Sequence, residues 1–191
     1  MDGPPLAPCR RLGLLAAFAA AAASAQAPIL GQDASACRPG SGETALLVVV
    51  DGFKHRQGLV RAEVYPANEE DFLKLDHRLK AEGKFFRRVE VAPPPSGPAK
   101  ICVRLPGPGD YAVLAAHTTN VATHRRKFDF RQDGVGFVNN PRLGVSKPRV
   151  ERVTVTARPG VTEEMVILNY LRGLAMRPIP GAATRTAERH P

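Results

Sequence analysis

The sequence predicts a mainly β protein, an immunoglobulin-like or transthyretin-like antiparallel β-sandwich with one inserted helix. Three observations predict it. Short β-branched and apolar runs recur at regular spacing between Gly/Pro turns, the pattern of a sandwich. Only "NEEDFLKLDHRLKAEG" carries a helical period. In "LPGPGDYAV" a tyrosine, Tyr111, opens a strand just after a Pro/Gly turn that includes Gly109. From that position in a sandwich the hydroxyl can reach back to the turn backbone and pin the corner.

The elements follow in chain order. "TALLVVVDGF" is a continuous apolar run, expected of a strand covered on both faces. "DGFKHRQG" reads as a turn. "GLVRAEVYP" alternates Val60, Ala62 and Val64 against Arg61, Glu63 and Tyr65. In the helix, Asn68 is the expected cap and Glu69, Glu70 and Asp71 fill the first turn. Phe72, Leu75 and Leu79 share the face that lies on the body. "FFRRVEVA" and "AKICVRLP" are strands separated by Pro93, Pro94 and Pro95, which cannot donate to a ladder. "GDYAVLAAH", "KPRVERVTVTA" and "EEMVILNYLRG" complete seven strands. "DGVGFVNNP" reads as structural: Gly134 and Gly136 for backbone turns, Phe137 into the core, Asn139 and Asn140 as turn formers.

Residues 1–25 have the form of a signal peptide. Arg10 and Arg11 precede an apolar stretch over 12–23, and Ala23-Ser24-Ala25 fits the small-residue cleavage rule. The stretch falls short of the about 20 residues that a membrane span takes. Cleavage is expected near Ala25, which makes the chain periplasmic or secreted, with no membrane span. Cys9 leaves with the leader. Residues 26–43 are expected to form an N-terminal linker carrying Cys37, residues 44–173 the sandwich, and residues 174–191 a disordered tail.

Two cysteines remain, Cys37 and Cys102. In an oxidising compartment a bridge between them is the natural reading. Ile101, Val103 and Leu105 alternate with Lys100, Cys102 and Arg104, which puts Cys102 on the outer face of a strand. Cys37, just before the first strand, can lie across that face. Two unpaired thiols or an intermolecular bridge are the alternatives. Without C-x-x-C spacing the pair is a poor metal motif.

The whole chain has 27 basic and 18 acidic residues, a formal charge of +9. The leader takes two arginines and one aspartate, leaving an excess of eight positive charges. The sign favours an anionic envelope component as partner, or another exported protein; a compositional bias toward Arg and Ala would give the same charge with no ligand. Nucleic acid is not expected, because no basic run interleaves with aromatics as a stacking platform would.

Several of these stretches together resemble domain of unknown function 2141, a family of small exported bacterial proteins. They are "LLVVVDGFKHRQGLVRAEVYP", "CVRLPGPGDYAVLAAH", "DGVGFVNNPR", "SKPRVERVTV" and "VILNYLRG". The resemblance runs over about residues 45–173 and implies an exported β-sandwich with no established activity. Its members usually follow the strand-ending histidine with an acidic loop of the type H-D-x-N-x-N-G-x-x-D, which resembles a calcium loop. Here His117, Asn120 and Asp129 hold matching places, Thr118 replaces the first aspartate, and "VATHRRK" adds Arg125, Arg126 and Lys127. A cation site is therefore not expected in the degenerate loop His117, Asn120, Asp129 and Asp133.

Catalysis finds equally little support. His117, His124, Asp129 and Asp133 could in principle act as an acid–base set or bind zinc, but no H-x-H or H-E-x-x-H spacing converges them. Ser146, in "LGVSKPR", lacks nucleophile-elbow glycines. No catalytic residue and no cofactor is expected. The sequence points to a non-enzymatic exported module that binds a partner. The alternative is a loop-based metal-binding or hydrolytic site around His117 and Asp129, which requires the two to face each other within hydrogen-bond reach.

Overall fold

The computed structural model describes residues 27–119, 129, 131–144 and 146–182, together with Gly3. The rest of the leader, Asn120, His124, the cations at 125–127 and residues 183–191 lie outside the described residues. The chain is mainly β, with two sheets. The strands are β1 (Ile29–Leu30), β2 (Ala45–Asp51), β3 (Leu59–Pro66), β4 (Arg87–Val91), β5 (Ala99–Arg104) and β6 (Gly109–Thr118). They continue with β7 (Gly134–Phe137), β8 (Thr154–Ala157), β9 (Val161–Ile167), β10 (Asn169–Arg172) and β11 (Ala175–Pro178). One sheet runs β1-β5-β2-β9; the other runs β11-β10-β7-β6-β3-β4, with β8 on the same edge of β6 as β7.

Alternation explains the layers. Leu46, Val48 and Val50, with Ile101 and Val103 beside them in the same sheet, face Val60, Ala62, Val64 and Val113 of the other sheet across the central core, which Leu168 also joins. Each such side chain contributes about 1.5–3 kcal/mol by leaving water. Both outer faces also carry apolar caps. Ala45, Leu47, Val49 and Cys102 are covered by Ala36 and Cys37. Tyr65, Ala112, Leu114 and Phe137 are covered by Phe72, Leu79, Val150 and Val153. Strand β2 is thus buried on both faces, which its unbroken apolar run foretold. Tyr111 donates its hydroxyl to the Gly107 carbonyl at 2.8 Å and pins the corner.

The structure departs from the sequence reading in six places. Most pairings are antiparallel, but β2 pairs with β9 in parallel, Ala45 opposite Val161 through Asp51 opposite Ile167. The chain reaches β9 by crossing from the other sheet, and a crossing leaves strand direction free where a hairpin would fix it. "EEMVILNYLRG" is two strands, because the chain changes sheets at Leu168, whose N–H bonds the Asp51 carbonyl at 2.9 Å. "KPRVERVTVTA" begins as a 3-10 turn, Val150–Val153, before β8.

The helix is short, α1 (Asp76–Ala81). Asn68 caps a separate turn, accepting the Asp71 N–H at 2.9 Å, and Leu73 at φ 64 ends that turn. Phe72 and Leu79 are buried, but Leu75 is 59% exposed. Finally, Gly134 and Gly136 lie in a strand rather than in turns. A Cβ on Gly136 would stand 2.3 Å from the Ile167 carbonyl oxygen, and one on Gly134 2.6 Å from Tyr170 Cζ. Their role is close approach, which lets β7 slide under the sheet crossing. The turn belongs to Asn139 and Asn140, at φ 60 and 41. Asn140 accepts the Ile167 N–H at 2.7 Å and donates to the Met165 carbonyl at 3.1 Å.

Pairing also extends past the expected boundaries at 44 and 173. β1 adds to β5, and β11 pairs along all of β10. The segment before β2 is anchored by Asp33, which takes the Arg87 guanidinium through two hydrogen bonds and the Arg104 N–H at 3.1 Å. Burial pushes the Asp33 carboxyl up, but the Arg87 and Arg104 hydrogen bonds and charges outweigh it and hold it below the usual carboxylate range.

Candidate functional site

The end of β6 carries His117, held between Val60 of β3 and Gly134 of β7. It is fully buried. Its Nε2 lies 2.8 Å from the Gln57 carbonyl, which can only accept, so Nε2 bears the proton. Nδ1 is then an acceptor and takes the Tyr170 hydroxyl at 3.1 Å. The Tyr170 oxygen in turn accepts the Lys54 N–H at 3.2 Å. A neutral imidazole satisfies every partner in this chain. Burial, with the nearby His55 and Arg56, holds the His117 pKa below its ordinary value against the pull of the Gln57 carbonyl and Asp133. Burial pushes the Tyr170 hydroxyl up to about 12. The rings of Phe53 and His55 pack on His117 at 5.2 and 4.7 Å between centroids.

The two aspartates form a different unit. Asp133 is buried, and one carboxylate oxygen accepts the Thr119 N–H at 3.0 Å and the Thr119 hydroxyl at 3.2 Å. The other accepts the Asp129 N–H at 2.8 Å. Asp129 accepts the Arg131 N–H at 3.0 Å. Asp133 therefore ties together the two ends of the connection between β6 and β7. Both ring nitrogens of His117 are engaged, by Gln57 and by Tyr170. Asn120 lies outside the described residues, and Ser146 is exposed on the far connection between β7 and β8.

Cys37 and Cys102 come together at disulfide distance, with Cα atoms 5.9 Å apart across 65 residues. Both are buried, Cys37 as the last residue of the 3-10 turn Ala34–Cys37 that lies over Cys102. A second grouping was not anticipated from the sequence: oxygens of Glu70, Asp71 and Glu82 lie within 4.8 Å of one another. Lysines already fill it. Lys84 Nζ bonds Asp71 at 2.6 Å and Lys74 Nζ bonds Glu82 at 2.7 Å. Among the described residues no helix is long and apolar enough to cross a membrane.

A family model described as "Uncharacterized protein conserved in bacteria" matches residues 48–164, from the core of β2 to the middle of β9. The chain belongs to this family, DUF2141. No curated protein and no solved structure matches the chain. The DUF2141 match covers both β6 and the connection after it, so His117 and Asp133 lie inside the shared domain.

Sequence reasoning missed Tyr170, His55 and Gln57. "DGFKHRQG" and "NYLRG" stand far apart in the chain, and only the β3–β6 register and the sheet change at Leu168 bring them onto His117. A lone histidine ending a strand gives no sign of which carbonyl or hydroxyl will reach it.

Proposed function

We propose that this chain is an exported, non-enzymatic β-sandwich module that binds a partner or an envelope component. The observation that carries the reading is the wiring of His117. Both its nitrogens serve the fold, through Gln57 and Tyr170, so neither is free for proton transfer or for a metal. Export is supported by the leader-like residues 1–25 and by the buried Cys37–Cys102 pair, which suits an oxidising compartment.

The second reading, a metal-binding or hydrolytic site around His117 and Asp129, has one observation in its favour. His55 lies against His117, and its Nδ1 is buried with no hydrogen-bond partner. That atom gives a single ligand, fewer than zinc needs.

The test is expression of the full chain in a bacterial host, followed by fractionation and N-terminal sequencing. A chain starting at Gln26 outside the cytoplasm is expected. An intact Met1 on cytoplasmic protein would overturn export.

A further inference from the structure

The connection between β7 and β8 builds a groove of one sign. A cavity of about 190 Å³ is lined by Arg142, Ser146, Lys147, Arg149 and Arg152, with no carboxylate in its lining. Its base is firm. Leu143, Val150 and Val153 pack into the apolar cluster on the outer face of the larger sheet. The local geometry then aims the cations. In a 3-10 turn, residues three apart stack on one side. Val150 and Val153 take the inner side, while Arg152 in the turn and Arg149, its extended N-cap, are exposed and line the same cavity.

Among the described residues, the acid bonded to this connection is spent on holding it. Glu69 accepts Lys147 Nζ at 2.8 Å and the Val150 N–H at 2.8 Å, so one lysine is neutralised and the turn is fixed to the segment before α1. The Lys147 and Val150 hydrogen bonds, with the field of Arg149 added, hold the Glu69 carboxyl below the usual range. Arg142, Arg149 and Arg152 have no ion pair among the described residues, and Glu151, although adjacent, does not line the cavity. A second cavity adjoins, sharing Arg142 and Leu143 and adding Arg177 of β11. Cations gathered this closely repel one another, and a tetrahedral oxyanion relieves the repulsion while accepting from guanidinium forks.

We propose that this groove binds a phosphate-type oxyanion, gripped by Arg149 and Arg152 with Arg142 and Ser146 as further donors. The ligand is a phosphate group, either free or displayed on a lipid headgroup. This rests on the reading of the chain as a binding module and gives that module a ligand class. The hairpin of β10 and β11, which lines the second cavity, carries Leu174 fully exposed at its tip, an apolar contact that a headgroup surface could take.

The full chain is titrated with inorganic phosphate, followed by amide NMR shifts, and is sedimented with vesicles of phosphatidylglycerol or of phosphatidylcholine. Arg149→Glu with Arg152→Glu is compared with Arg38→Glu and Arg158→Glu, which make the same charge change at exposed sites elsewhere. The groove pair should weaken binding at least about tenfold, the loss of charge-assisted contacts. The control pair should change it less than about twofold, as distant screened charges do. Wild-type shifts should cluster on residues 142–152, a readout that needs no variant to fold. Binding of phosphatidylglycerol vesicles alone assigns the headgroup source, and binding of free phosphate alone the soluble one. Equal loss in both pairs, shifts spread over the surface, or no binding in either arm overturns the groove. The broader reading fails on a separate result, retention of the chain in the cytoplasm.

Discussion

The Tyr170 hydroxyl donates to Nδ1 of His117 at 3.1 Å, from a strand 53 residues further along the chain. This bond makes Nδ1 the accepting nitrogen of a neutral ring whose Nε2 donates to the Gln57 carbonyl. It also makes the pH response of the fold calculable in sign.

Burial first, then the neighbouring positive groups, lowers the His117 pKa from 6.5. The unfolded chain binds its proton near 6.5, the folded chain only at lower pH. Stability from the neutral ring is therefore complete above the unfolded value and drains away as pH falls beneath it. Urea unfolding between about pH 7.5 and about pH 5 should show falling stability on the acid side. An NMR titration should place the His117 midpoint under 6.5. A midpoint at or above that value would contradict the assignment.

Tyr170→Phe keeps the ring but strands Nδ1 of His117 and the Lys54 N–H. The expected loss is about 1–3 kcal/mol, the cost of unpaired buried polar groups. Equilibrium denaturation reads it directly, and a neutral outcome would mean that water replaces the hydroxyl.

A bridge between Cys37 and Cys102 would close a loop with a sequence separation of 65 residues. In the chain-entropy model that closure contributes about 4 kcal/mol. Protein from an oxidising compartment should show no titratable thiol after denaturation. The paired change Cys37→Ala and Cys102→Ala should lower stability by a comparable amount. Two thiols per chain would dispose of the bridge.

Gly136→Ala would set a methyl 2.3 Å from the Ile167 carbonyl oxygen, a backbone atom with little room to yield. The change should cost about 1–3 kcal/mol through forced backbone shift. Gly144→Ala, where nothing lies within 4 Å of the added carbon, is the control and should leave the melting temperature nearly unchanged.

Calcium should bind no tighter than about millimolar, the weak end of extracellular modules. Asp133 spends both oxygens on backbone and hydroxyl donors of Thr119 and Asp129, so ligation would have to break those bonds. Calorimetric titration with a parallel thermal melt tests this. Tighter binding that disappears in Asp129→Ala would show a working cation loop.

Much of the frame was legible from residue alternation. The unbroken run of β2, the two-faced pattern of β3, the outward Cys102 and the Tyr111 corner each follow from local spacing, because each depends on neighbours in the chain. The errors share a cause. Gly134 and Gly136 looked like turn glycines because a bare sequence cannot distinguish a glycine that bends from one that makes room. The break at Leu168 is invisible because the apolar run from Met165 to Leu168 carries no glycine or proline to mark a change of sheet. The helix shortened because Leu73 takes a left-handed conformation that its propensity disfavours. At the site, the histidine was readable and its partners were not, since Gln57 and Tyr170 reach it only through strand register.

The crossing at Leu168 has a mechanical meaning. One unbroken backbone run lends its first half to one sheet and its second half to the other, with Leu168 buried in the space between. Neither sheet can peel away while the other stays intact, because pulling β9 from β2 drags β10 out of register with β7. The two layers are therefore sewn rather than merely stacked, and force applied at either face is shared by both.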